Sequence, residues 1–139
     1  MYPPDSDTLP DIKTMDFTEV KDSGTRREFD TGSVRDQRGG KGRFDLISPV
    51  ALRRLARHSE NGAVKYGDRN WEKGQPLCSF LDSAMRHLQD FLEGDRAEDH
   101  LAAAAWNVFS VIHTQEMINR GILPGSLDDL PDFKNQGGS

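Results

Sequence analysis

Leu101-Ala-Ala-Ala-Ala-Trp-Asn-Val-Phe-Ser-Val-Ile112 is the most apolar run in the chain, and its reading decides the fold. Its hydrophobic residues fall on most sides of a helical projection, which predicts a central helix surrounded by other elements. Asn107 and Ser110 interrupt the run and it is too short to span a bilayer, so no membrane partner is expected. The polar residues in and around it are ordered. His100, Ala103, Asn107, Ser110 and Thr114 follow three- and four-residue steps and share one stripe. A polar group buried there costs about 1–3 kcal/mol unless it finds a hydrogen bond. Ala103 and Ser110 keep the stripe shallow, leaving room for a ligand against it. The alternative is a core histidine and asparagine satisfied by neighbouring side chains.

Working outward, this third helix is expected to start near Asp95, with Glu98 at capping-box spacing, and to end near Arg120 before Gly121 and Pro124. A second helix is predicted over about Ser79 to Glu93, with Leu81, Ala84, Met85, Leu88, Phe91 and Leu92 as its apolar stripe. Ser79 and Asp82 stand at capping-box spacing, and Gly94 ends the helix. The short connection that follows favours an antiparallel pair. The first helix opens at Ser48-Pro49, where serine can cap and proline is tolerated, and closes near Gly67. Leu52, Leu55, Ala56, Ser59 and Ala63 are its expected inner face. The fold class is therefore all-α: a small helical bundle of three to four helices, spanning residues 31–120. Residues 1–30, rich in Pro, Asp, Ser and Thr, read as an extended N-terminal arm, and residues 121–139 as a peripheral tail.

Only 35% of the 139 residues are hydrophobic and 29% are charged, so the core is modest and a homo-oligomer is expected to complete it. The net charge of −5 disfavours duplex nucleic acid, whose binding needs a positive face, but leaves a small phosphorylated ligand open. Cys78, the single cysteine, forms neither an internal disulfide nor a thiolate metal site by itself. The opening MYPPDSDTLPD has no basic segment leading into an apolar run, so no signal peptide is read there and the expected compartment is cytoplasmic.

Three clusters carry chemistry. The segment Glu60-Asn-Gly-Ala-Val-Lys-Tyr-Gly-Asp-Arg-Asn-Trp71 gathers Lys65, Tyr66, Arg69, Asn70 and Trp71 around a helix end. Aromatic rings there can stack on a base while cations meet phosphate, or the rings can be core anchors with polar tips. The second helix adds Asp82, Arg86, His87 and Asp90. Carboxylates hold Mg²⁺ and arginine grips phosphate, although spaced ion pairs on a solvated face look the same. Gly39-Gly-Lys-Gly-Arg43 offers Lys41, Arg43 and backbone amides to a phosphate, yet it matches neither the P-loop nor the dinucleotide spacing. No Ser-His-acid order, paired-cysteine zinc spacing or His-Glu-x-x-His motif is present, which disfavours a covalent enzyme intermediate.

Four segments in order, Gly40-Lys-Gly-Arg-Phe-Asp-Leu-Ile-Ser-Pro49, Gly62-Ala-Val-Lys-Tyr-Gly-Asp-Arg-Asn-Trp71, Asp82-Ser-Ala-Met-Arg-His87 and Glu98-Asp-His-Leu-Ala-Ala-Ala-Ala-Trp-Asn107, resemble the phage dATP/dGTP diphosphohydrolase N-terminal family. That family is grouped with the MazG-like all-α pyrophosphohydrolases. The resemblance implies Mg²⁺-dependent hydrolysis of a purine deoxynucleoside triphosphate to monophosphate and pyrophosphate, in a host cytoplasm if phage-encoded. By carry-over, Lys65, Tyr66, Asn70 and Trp71 bind nucleotide, with Arg86 and His87 near its phosphates. Glu60, Asp82 and Asp99 are the acidic candidates for metal, and His87 or His100 relays a proton. The paired Glu-x-x-Glu and Glu-x-x-Asp motifs of MazG-like enzymes are missing from the expected helices; His100-Leu-Ala-Ala103 stands roughly where the second would fall. This departure motivates a rival reading, a non-catalytic protein that sequesters a nucleotide or nucleotide signal. A third reading, a structural protein with no small ligand, leaves the polar stripe unexplained.

Overall fold

The computed structural model describes residues 20–135, which fall into two compact units divided between Ser48 and Pro49. The N-terminal unit holds a two-stranded antiparallel hairpin, β1 (Arg26–Glu28) and β2 (Val34–Asp36), in the register Arg26 with Asp36, Arg27 with Arg35 and Glu28 with Val34. Its turn closes through Phe29 N–H donating to Ser33 O and Gly32 N–H to Phe29 O, with Gly32 at φ +85°. The hairpin takes Arg26–Glu28 from the stretch read as an arm and pairs it with Val34–Asp36, which runs into the stretch read as a loop. The first nineteen residues of that arm, and residues 136–139 of the tail, lie outside the described residues.

The second unit is the expected helical bundle. Helices α1 (Pro49–Tyr66), α2 (Leu77–Leu92) and α3 (His100–Asn119) follow one another, with short 3₁₀ turns at Asn70–Lys73 and Gly125–Leu127; a further 3₁₀ turn, Phe44–Leu46, belongs to the N-terminal unit. α1 ends as read from sequence, at Gly67 with φ +90°, a conformation glycine adopts without steric cost. α2 starts two residues before Ser79. Its second amide, that of Cys78, donates to the Asp129 carboxylate at 2.9 Å, so the C-terminal segment satisfies an orphan group at the helix start. α3 starts at His100, not near Asp95. Asp99 is the N-cap and its side chain accepts from Ala102 N–H at 3.1 Å, while Asp95 closes a preceding turn on Ala97 N–H.

α3 is the packing centre, against α2 chiefly and α1 secondarily. Leu77, Phe80 and Val111 form the core, with Leu81, Trp106 and Leu130 packed around it. Leu123 is also buried. The segment 121–130 thus contributes to the core rather than lying at the periphery. α1 has no buried residue, and Leu52 of its anticipated inner face is half exposed. Among the described residues, no helix is long and apolar enough to cross a membrane.

Candidate functional site

A cleft of about 880 Å³ opens between α1, the Asn70–Lys73 turn, α2 and α3. Helical spacing explains its walls. His58, Gly62 and Lys65 on α1 and Ser79, Ser83 and His87 on α2 recur every three or four residues, so each helix turns one stripe to the cleft. α3 contributes Trp106 and Asn107, while the connection beyond α1 brings Arg69, Asn70 and Trp71. Arg69 holds φ +57°, and its guanidinium pairs with the buried Glu72 carboxylate. This pair braces the turn from within.

Trp106 organises the aromatic wall. It lies edge-on to Trp71 at 6.5 Å and to Phe80 at 6.2 Å, with the His58 ring 5.5 Å away; Trp71 in turn meets His113 at 4.7 Å. Tyr66 is 62% exposed, with Lys65 Nζ 5.2 Å from its ring. Burial first, then the neighbouring His87 imidazole, holds the His58 pKa below the usual histidine range.

The polar stripe of α3 divides into two parts. His100, Asn107, Ser110 and Thr114 are all buried, and Ala103 is buried between them. Ser110 Oγ donates to Trp106 O and Thr114 Oγ1 to Ser110 O at 2.7 Å, so the lower half is satisfied within its own helix. Asn107 faces the cleft, donating through Nδ2 to Ala103 O at 2.9 Å and to Ser83 Oγ at 3.4 Å. His100, 3% exposed, crosses to α2: its Nδ1 lies 2.9 Å from His87 Nδ1. Glu98 Oε1 is 3.6 Å from that His87 nitrogen, and Asp95 Oδ2 is 3.4 Å from His100 Nε2.

The structure therefore brings together Lys65, Tyr66, Arg69, Asn70, Trp71, His87 and Asn107 along one cleft, with His100 behind His87. Arg86 is not among the lining residues; one position from His87 it is turned about 100° around α2, where it pairs with Asp82 on the exposed side. Lys41 and Arg43 belong to the N-terminal unit, where Lys41 meets Asp36 at 2.9 Å and Arg43 grips Asp45 at 2.8 Å.

The acidic trio Glu60, Asp82 and Asp99 does not assemble into a metal site among the described residues. Glu60 is exposed, Asp82 is on Arg86, and Asp99 is held by Arg54 through contacts of 2.6 and 2.8 Å while also capping α3. Arg54 keeps the Asp99 pKa down at about 2. The described group that does converge is His87, Glu98 and His100, one ligand atom of each within 4.8 Å of the others. Sequence reading paired the two histidines by role but passed over Glu98, His58 and Ser83. The four-residue recurrence of Ser79, Ser83 and His87 was the available signal for the α2 wall.

Compared with known families, residues 31–121 match the sequence model of the dATP/dGTP diphosphohydrolase N-terminal family. Neither the curated proteins nor the solved structures compared give a match.

Proposed function

We propose, from the premise that the chain belongs to the dATP/dGTP diphosphohydrolase N-terminal family, that its cleft binds a purine deoxynucleoside triphosphate and cleaves it to monophosphate and pyrophosphate. The observation that carries this reading is the cleft's distribution of chemistry. The cleft is lined by an aromatic and cationic group, Tyr66, Lys65 and Arg69, and by His87, whose ring is backed by the buried His100. Tyr66 is the exposed ring that takes the base, since Trp71 is engaged edge-on by Trp106 and His113. Lys65 and Arg69 meet the phosphates and stabilise the charge that builds on them during hydrolysis. Asn70 and Asn107 supply amide contacts that orient the nucleotide.

The imidazole pair handles the attacking water. Such a pair serves in two ways, by taking the water's proton at a ring nitrogen or by holding a cation that acidifies it. The Mg²⁺ site expected from Glu60, Asp82 and Asp99 does not fit, because arginines and the α3 cap already occupy the latter two carboxylates. The same occupied carboxylates favour the sequestering protein as the second reading.

Association of two copies belongs to this proposal. Met85, Leu88 and Leu92 of α2 and Leu101, Val108, Phe109 and Ile112 of α3 form apolar stripes that remain exposed, and burying them against a second copy would complete the modest core.

Incubation of the purified protein with dATP and with dGTP, followed by separation of products, tests the activity. Monophosphate and pyrophosphate in equal amounts are expected, and Tyr66→Ala should weaken nucleotide binding by the equivalent of about 1–3 kcal/mol of lost stacking. Intact nucleotide recovered from a tight complex would transfer support to sequestration. No binding and no turnover with any purine nucleotide would remove both readings.

A further inference from the structure

We infer that His87, Glu98 and His100 form a binding site for a first-row divalent transition ion, of the Zn²⁺ or Co²⁺ kind rather than Mg²⁺. The inference concerns metal chemistry alone and does not depend on which nucleotide, if any, the cleft accepts.

Donor chemistry comes first. Two imidazoles and one carboxylate suit borderline transition ions, whereas Mg²⁺ selects oxygen ligands and keeps several waters. Geometry agrees. Two nitrogens each about 2.1 Å from an ion stand about 3.0 Å apart at a right angle and about 3.4 Å apart at the tetrahedral angle. The observed separation of His87 Nδ1 and His100 Nδ1 is 2.9 Å, with Glu98 Oε1 3.6 Å from the former. Two histidines and a carboxylate would supply three ligands and leave the remaining coordination positions open. His87 also lines the cleft, so those positions are within reach of a ligand there.

The surroundings of His100 supply an independent observation. This ring is buried, and its Nε2 makes no well-formed hydrogen bond among the described residues. Asp95 Oδ2 lies 3.4 Å from that nitrogen. A metal-bound histidine characteristically directs its second nitrogen to a carboxylate, which keeps the proton there and presents the other lone pair to the ion. Asp95 is placed for that task on Nε2, leaving Nδ1 to face His87.

The loop between α2 and α3 holds the Asp95 carboxylate in position before any ion arrives. Asp95 N–H donates to Asp90 O at 3.0 Å, and Asp95 Oδ1 accepts from Ala97 N–H at 2.8 Å. Arg96 lies over the Phe91 ring and donates to Phe91 O and Asp95 O, each at 2.9 Å. Asp99 then caps α3 and starts the turn carrying His100. In the ion-free protein one Nδ1 donates to the other; loading removes that proton from between the rings, to solvent or to His87 Nε2.

Isothermal titration of the purified, chelator-treated chain with Zn²⁺, Co²⁺ and Mg²⁺, in the absence of nucleotide, tests the site. One equivalent of Zn²⁺ or Co²⁺ should bind, and excess Mg²⁺ should fail to displace it. His87→Ala should abolish stoichiometric binding. Asp95→Asn should weaken it on the order of 10–100-fold, the loss usual for a removed outer partner. Glu98→Gln, at an exposed loop position, serves where a histidine variant misfolds; it should keep the helical circular-dichroism spectrum and weaken binding tenfold or more. Weak absorption bands of bound Co²⁺ would report six-coordination. No stoichiometric uptake, or uptake unchanged in both His87→Ala and Glu98→Gln, overturns the assignment, as does Mg²⁺ competing on equal terms.

Discussion

Replacing Asp99 separates two interactions that the structure places on one side chain. Its carboxylate accepts from Ala102 N–H as the α3 N-cap and also takes two contacts from Arg54 on α1. Asp99→Asn keeps an acceptor of nearly equal capping quality but removes the charge, whereas Asp99→Ala removes both. The cap is worth about 1 kcal/mol. The ion pair has side chains 50% and 39% exposed, so solvent screening limits it to about 0.5–1 kcal/mol despite the two-point geometry. Asp99→Asn should therefore cost up to about 1 kcal/mol and Asp99→Ala roughly 2 kcal/mol. For a domain of this size those losses lower Tm by about 4–8 °C per kcal/mol. Urea unfolding followed by circular dichroism gives the free energies, and an Arg54→Ala/Asp99→Asn cycle isolates the pair. The sign with pH follows from the depressed pKa, 3.8 to about 2. The carboxylate's contribution is present above the unfolded value and is lost as pH falls through about 2, so wild type and Asp99→Asn should converge in acid. Equal stabilities for Asp99→Asn and Asp99→Ala would refute the capping role; additive losses in the cycle would refute the ion pair.

Gly74 holds φ +100°, and a Cβ there would come within 2.8 Å of Leu127 Cδ1 and 3.3 Å of Leu123 Cδ2. Gly74→Ala should cost about 1–3 kcal/mol from the backbone conformation, read by chemical denaturation. Phe109 is 54% exposed in the apolar stripe of α3, so on the proposed self-association Phe109→Asp should lower the mass seen by light scattering while leaving helix content intact. An unchanged mass would place any dimer interface elsewhere. Burial, with Asp129 beside it, raises the Cys78 thiol pKa. Its alkylation by iodoacetamide near neutral pH should be slower than that of a free cysteine, and a faster rate would contradict the Asp129 contact.

Much of the site was legible where the information is local. Lys65 through Trp71 are contiguous, and His100 and Asn107 stand two turns apart on one helix, so bringing Asn107 and His87 to the same cleft, with His100 behind His87, needed only the right helices packing together. Arg86 shows how a neighbour in sequence misleads, since adjacent residues on a helix face different directions. Trp71 shows another limit: an aromatic that could stack on a base is held instead by two other rings. Asp82 and Asp99 each carry an arginine partner that acidic spacing does not reveal, that of Asp99 lying forty-five residues away.

By itself the sequence determined which segments are helical and which stripe of the third helix is polar, because periodicity, proline and glycine act within one or two turns. It determined neither the α3 start nor the fate of the segment beyond Gly121: Asp99, not Asp95, caps the helix through the Ala102 N–H, and Asp129 reaches the Cys78 amide fifty-one residues away. Tertiary packing alone decided that His87, Glu98 and His100 converge, since it set how α2 and α3 face each other and how their loop folds back. Distances between side chains on different helices follow from the rotation of each helix about its axis, which single-chain periodicity leaves undefined.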